Sequence, residues 1–197
     1  SYGVNADVWW PTTNGPVNVT VAGAGGITMN VARTVSGMFQ TAAGVTNANN
    51  LTLNGTGKLN GGGFFAAVPV WGAASTLVYN TGGTFGRANE FPNSGNLPAN
   101  VQVSNSTTIN YPNAGLAART ISGNLTIDAG SSFYMDYGSP NPGVGLLTIN
   151  SLVLNGNMSL GSQPGGDLVV KGNITRTGIF SPVSRAVFLN AATGDQT

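Results

Sequence analysis

Ser151-Leu152-Val153-Leu154-Asn155-Gly156 sets Leu152 and Leu154 two positions apart and then stops at Asn-Gly. Side chains alternate along an extended chain, so the two leucines share one face. Asn and Gly suit a sharp corner, because both tolerate a left-handed backbone. The same template recurs as Asn50-Leu51-Thr52-Leu53-Asn54-Gly55 and as Asn124-Leu125-Thr126-Ile127-Asp128, the latter followed by Ala129-Gly130. Further apolar residues spaced by two occur at Val17, Val19, Val21; Ile27, Met29, Val31; Leu77, Tyr79; Val101, Val103; Leu147, Ile149; and Leu168, Val170. Helical spacing is nowhere sustained, and 30 Gly and 10 Pro interrupt the chain too often for helices of ordinary length.

From Leu125 to Leu152 to Leu168 to Val187 the steps are unequal but centre on about twenty residues, the length of one solenoid turn with variable loops. The pattern predicts an all-β fold, a right-handed parallel β-helix forming a single segment over residues 1–197, a fragment of a longer chain with eight to ten turns. The rival is an antiparallel sandwich, since Asn-Gly between alternating strands is a strong hairpin signal. Asn54-Gly55 is followed by Gly57 and then Gly61-Gly62-Gly63, which leaves little returning strand and favours the solenoid. Residues 61–75 and 81–99, rich in Gly and Pro, read as loop-like insertions.

With 41% hydrophobic residues the chain can bury a core, yet only 7% is charged, and Gly, Asn, Thr and Ser take the place of charge. A net charge of +1, spread thinly over Arg33, Lys58, Arg87, Arg119, Lys171, Arg176 and Arg185, offers no basic stripe for nucleic acid. No apolar run is long enough for a membrane-spanning helix. Cys and His are both absent, which removes thiol chemistry, imidazole bases and nearly all transition-metal sites. Ser1 opens onto polar residues and Trp9-Trp10 rather than a signal peptide, so the chain reads as mature or excerpted.

Parallel β-helices can host polysaccharide-cleaving sites, which need two carboxylates in register or a carboxylate cluster for Ca²⁺. The acids are Asp7, Glu90, Asp128, Asp136, Asp167 and Asp195, none closer than eight positions in sequence. Asp128 and Asp136, near Tyr134, Tyr137 and Arg119, could form a sugar or Ca²⁺ site; as a plain structural pair they are a turn aspartate and a loop residue. Arg87 with Glu90 reads as a loop-fixing ion pair. Trp9, Trp10, Trp71, Phe85, Tyr111, Tyr134 and Tyr137 are candidate sugar-stacking rings, with Trp9 and Trp10 as end caps and Trp71 as a loop cover in the structural reading. The surface ligand contacts expected from this are Trp71, Tyr134, Asp136 and Tyr137; no catalytic, cofactor or metal residues are expected. Asn-x-Ser/Thr triplets at Asn18, Asn50, Asn54, Asn105, Asn124, Asn157 and Asn173 reflect the repeat template, since several fall inside strands. Ice binding through ranked threonines is disfavoured, because Thr-x-Thr occurs only at Thr175-Arg176-Thr177.

The run from Ser75 through Leu77-Val78-Tyr79-Asn80-Thr81-Gly82-Gly83-Thr84-Phe85-Gly86-Arg87 to Glu90-Phe91 resembles a segment of very large secreted surface proteins of Bacteroidota. The resemblance continues through Val101-Gln102-Val103, Ile109-Asn110-Tyr111-Pro112, Arg119-Thr120-Ile121-Ser122-Gly123-Asn124 and Gly166-Asp167-Leu168-Val169-Val170-Lys171-Gly172-Asn173 to Gly194-Asp195-Gln196-Thr197. It covers residues 75–197 well and the first 60 loosely, and Glu90-Phe91 departs from an expected Glu-Trp. It implies a stalk-like or adhesin-like repeat region exported by type IX secretion, normally followed by more repeats and a sorting domain. The function expected is a non-catalytic spacer or adhesive segment, secreted or on the cell surface. Its partners would be the secretion machinery, surface polysaccharide or other copies of itself. The alternative is a carbohydrate-binding or carbohydrate-cleaving β-helix.

Overall fold

The computed structural model describes residues 2–5, 10–114, 117–138 and 145–191. Within them the chain winds into a β-solenoid of about eight turns, all of whose strand pairs are parallel. Each turn presents three faces. The first carries Val19–Val21, Met38–Thr41, Thr56–Asn60, Thr76–Asn80 and Asn100–Val103, then the second halves of Arg119–Ile127 and Leu147–Leu154, and finally Ile174–Arg176. The second runs Tyr2–Val4, Ile27–Met29, Gly44–Thr46, Phe64–Phe65 and, as a separate sheet, Thr84–Gly86, Thr108–Asn110, Ser132–Tyr134, Asn157–Ser159 and Ile179–Ser181. The third runs Arg33–Val35, Leu51–Leu53 and Val70–Trp71, and resumes in the first halves of the two long strands, Leu168–Val170 and Val187–Leu189.

Period-two alternation explains the core. On the first face the inward register runs Val19, Phe39, Gly57, Leu77, Val101, Leu125, Leu152, Ile174, beside Val21, Thr41, Leu59, Tyr79, Val103, Ile127, Leu154, Arg176. From Phe39 to Leu154 every large apolar member of both columns is buried. Each such side chain contributes about 1.5–3 kcal/mol of transfer free energy. Turn length varies from 18 residues between Phe39 and Gly57 to 27 between Leu125 and Leu152 without breaking the columns. The outward side adds neutral polar ladders. Gln40 Nε2 donates to Thr20 Oγ1 (3.0 Å), Asn80 Nδ2 to Asn60 Oδ1 (2.8 Å) and Ser104 Oγ to Asn80 Oδ1 (3.1 Å).

Three expectations are corrected by this geometry. Leu125 and Leu152 do stack, but Leu168 pairs with Leu147 and Val187 with Leu168, so the step series mixed the first and third faces. Residues 61–75 are not an insertion; they carry the strands Phe64–Phe65 and Val70–Trp71 of an ordinary turn. Residues 81–99 begin with the strand Thr84–Gly86, and Arg87, Glu90 and Phe91 beyond it are buried.

The corner glycines also serve a different purpose from the one expected at most positions. Gly130 has φ +80, as a left-handed corner requires, but Gly55, Gly156 and Gly172 lie outside that region. They are needed because the neighbouring turn is too close. A Cβ on Gly55 would stand 2.1 Å from Gly37 O, one on Gly156 2.2 Å from Ser131 O, and one on Gly172 2.5 Å from Ser151 Oγ. At the corner from the third face to the first, side chains of one turn cap backbone N–H groups of the next. Met38 N donates to Asn18 Oδ1 (2.7 Å), Asn124 N to Asn100 Oδ1 (2.9 Å) and Asn173 N to Ser151 Oγ (3.2 Å). These bonds satisfy donors that the corner takes out of the ladder.

Candidate functional site

The densest gathering of chemistry lies inside the stack, where residues 87–93 follow the strand Thr84–Gly86. Glu90 and Arg87 are fully buried. Glu90 Oε1 accepts from Tyr79 OH (2.9 Å) and from Ala88 N (2.8 Å), while Glu90 O accepts from Trp71 Nε1 (3.0 Å). Arg87 Nε donates to Tyr111 O (2.8 Å) and Nη1 to Phe91 O (3.1 Å). Both members of the expected loop-fixing pair thus hold their segment by hydrogen bonds to backbone, and Glu90 also through Tyr79. Arg119 completes the group, donating from Nε to Pro92 O (3.2 Å), from Nη1 to Ala117 O (2.7 Å) and from Nη2 to Asn93 Oδ1.

Aromatic rings separate these charges. The Arg87 guanidinium lies 5.2 Å from the Tyr111 ring centre, and Arg119 lies 5.4 Å from Tyr111 and 6.0 Å from Phe91. Tyr111 and Phe133 rings are 5.0 Å apart. Cation–π contact of this kind offsets part of the cost of removing a guanidinium from water. Burial dominates the ionisation of the group. It raises the Glu90 carboxyl above its usual range despite hydrogen bonds and the nearby Arg87, and it raises Tyr111. It also lifts Tyr79 well above the usual phenol value, with Glu90 adding to the shift, and lowers Arg87, with Arg119 adding. Tyr79, Arg87, Glu90 and Tyr111 are all closed off from solvent, so the arrangement can hold chain segments together but offers no open face to a substrate.

The surface contacts expected from sequence distribute differently. Trp71 is corrected: its side chain is 5% exposed, packs edge-on to Phe65 and bonds to Glu90 O, so it presents no ring to a ligand. Tyr134, Asp136 and Tyr137 lie together, half-buried, at the end of Ser132–Tyr134, where Ser159 Oγ donates to Asp136 Oδ1. Asp128 instead accepts from Gln102 Nε2 (2.8 Å), and Asp167 from Ala186 N (2.8 Å). Each of these carboxylates is thus spent on a neighbouring turn. Among the described residues, no three His, Cys, Asp or Glu side chains gather as a metal site would require, and no helix is long and apolar enough to cross a membrane. Asp7, Trp9 and Asp195 lie outside the described residues. Of the remaining candidate rings, Trp10 and Tyr111 are buried, and Phe85 is half-buried against Tyr79.

Sequence reasoning missed Arg33, which is 5% exposed and donates from Nε to Trp10 O and from Nη1 to Ala32 O (2.7 Å), much as Arg119 does several turns later. The signal was present: Ala32-Arg33-Thr34-Val35-Ser36-Gly37 returns as Ala118-Arg119-Thr120-Ile121-Ser122-Gly123. Compared with protein-family models, with curated proteins and with solved structures, the chain finds no match.

Proposed function

We propose that this chain is a non-catalytic spacer or adhesive segment of a secreted or cell-surface bacterial protein. The observation that carries the reading is the continuous parallel sheet of the first face, whose largely apolar inward columns pass through about eight turns beneath neutral polar ladders. Turns spaced about 4.8 Å apart give a rod roughly 35–40 Å long. Because contacts run only between neighbouring turns, such a stack adds length without any change to its core. Bacteroidota origin and export by type IX secretion rest on the sequence resemblance across residues 75–197. Enclosure of Glu90 and the engagement of Asp128, Asp136 and Asp167 by adjacent turns favour the spacer over a carbohydrate-cleaving site. Small-angle scattering together with incubation on a panel of neutral and acidic polysaccharides tests it. A rod without turnover is expected, and release of reducing ends or unsaturated products would overturn the proposal.

A further inference from the structure

The three ladders of the solenoid are not equally continuous. Between the turn that holds Met38–Thr41 and the turn that holds Thr56–Asn60, all three faces pair: Phe39 with Gly57, Val45 with Phe65 and Leu53 with Trp71. One level further on, only the first face does. Thr56–Asn60 pairs with Thr76–Asn80 along its whole length, whereas Phe64–Phe65 ends one sheet of the second face, Thr84–Gly86 begins the next, and Val70–Trp71 ends its sheet on the third. Residues 87–99 fill the third face of that turn without forming a strand. Side-chain bonds tie this segment back across the gap: Asn89 Nδ2 donates to Phe65 O (3.2 Å) and Trp71 Nε1 to Glu90 O (3.0 Å). The inward column of the first face is thin here as well, since Gly57 lies beneath Leu77 and the Trp71 ring takes the space of its missing side chain.

We propose that this level is a joint: residues 87–99 swing out of the third face as a unit, the strands Thr56–Asn60 and Thr76–Asn80 act as the hinge, and the turns on either side stay folded. The stability of a stack is approximately a sum of terms within each turn and between neighbouring turns, so the interface that lacks two of its three ladders is the first to yield. What the segment encloses also favours release. Arg87 and Glu90 are fully buried, Glu90 Oε2 has no hydrogen-bond partner among the described residues, and both groups regain water on opening. Residues 93–96, next along the chain, are already exposed and supply slack. The joint is a property of the pairing pattern and holds whether or not the chain serves as a spacer.

The sequence supplies a single-site probe. Glu90 is the one glutamate in the chain, so a glutamate-specific endoprotease, in a buffer where it spares aspartate, can cut only between Glu90 and Phe91, both fully buried. Cleavage of the intact native chain therefore reads the opening of this segment. It should depend on denaturant far less steeply than global unfolding followed by circular dichroism, and the two fragments should stay together on a sizing column, held by the first face. Asn89→Ala removes the bond to Phe65 O from an exposed position; relative to cleavage of the same variant unfolded, it should speed cutting about fivefold, the equivalent of one hydrogen bond of about 1 kcal/mol. Gln40→Ala, which removes a bond to Thr20 on the continuous first face, should leave the rate unchanged. The proposal is overturned if cleavage tracks global unfolding, if the fragments separate under native conditions, or if Asn89→Ala accelerates cutting no more than Gln40→Ala does.

Discussion

Replacing Gly55 by Ala puts one methyl group where the stack leaves no room, and the cost follows from the local distances. The new Cβ would lie 2.1 Å from Gly37 O and 2.5 Å from Ser36 O, both backbone atoms, where real contacts stay beyond 3.0 Å. The corner must therefore open by nearly 1 Å. Gly37 O accepts from Thr56 N (2.8 Å), Val35 O from Asn54 N (2.9 Å), and Gly55 O itself from Thr76 N (3.0 Å), so opening strains bonds on both sides of the turn. Overpacking costs about 1–3 kcal/mol, and each weakened hydrogen bond adds up to about 1 kcal/mol. A loss of roughly 2–4 kcal/mol is expected. Gly83→Ala is the matched control: nothing lies within 4 Å of its Cβ position and its φ is outside the left-handed region, so it should be neutral or stabilising by up to about 1 kcal/mol. Guanidinium unfolding followed by circular dichroism measures both, and amide exchange at Thr56 and Thr76 localises the damage. Equal stability of the two variants would refute the close-approach account of these corners.

Leu125→Ala, at a fully buried position in mid-stack, should cost about 2–5 kcal/mol, and Leu189→Ala, 58% exposed, less than about 1 kcal/mol; similar losses in denaturant unfolding would contradict this difference in burial. Glu90 has a native carboxyl raised above 4.5 by burial, so its contribution is fully present below pH 4.5 and is lost as pH rises through the raised native value. The stability of Glu90→Gln should therefore lack that decline, and parallel pH profiles for the two proteins would count against the buried carboxyl. Arg119→Lys should destabilise almost as much as Arg119→Met, because one ammonium cannot serve Pro92 O, Ala117 O and Asn93 Oδ1 together; full rescue by Lys in thermal unfolding would show that charge alone suffices. Asn80→Ala removes the bonds to Asn60 and Ser104 and should cost about 1 kcal/mol, read by the same unfolding curves.

Strand chemistry was readable because it is local: Leu152 and Leu154, or Leu125 and Ile127, lie two apart whatever the turn length, and all four are buried. Face assignment was not readable, because it depends on what lies beneath. The Asn50-to-Gly55 template sits on the third face, whereas its near copies at Asn124 and Ser151 sit on the first, and no residue in the hexapeptide encodes that difference. Asn-Gly marked corners correctly but for a partial reason, since the constraint at Gly55 is a carbonyl of another turn rather than its own backbone angle. Trp71 looked like a surface ring because Gly and Pro surround it in sequence. Its sequestration comes from Phe65 and Glu90, contacts that span the faces of the solenoid. Arg87 and Glu90 were correctly associated, while their burial beside Tyr79 and Tyr111 required the fold.

The buried arginines explain how so charge-poor a chain keeps irregular segments inside a solenoid. Where strands stack between two neighbouring turns, parallel pairing gives backbone carbonyls N–H partners one turn away. Residues 87–93 and the approach to Arg119 interrupt that ladder on the third face and bring carbonyls into the interior without strand partners. An enclosed carbonyl left unpaired is costly. A guanidinium carries five donors in a fixed plane and can also lie against an aromatic ring. Arg87 thus serves Tyr111 O and Phe91 O, Arg119 serves Pro92 O and Ala117 O, and Arg33 serves Trp10 O and Ala32 O. Tyr111 lies between the first two as a shared ring. The position of Arg within the repeat is consequently set by where the ladder breaks, which is why Ala-Arg-Thr recurs at Arg33 and Arg119 where the third-face strand begins.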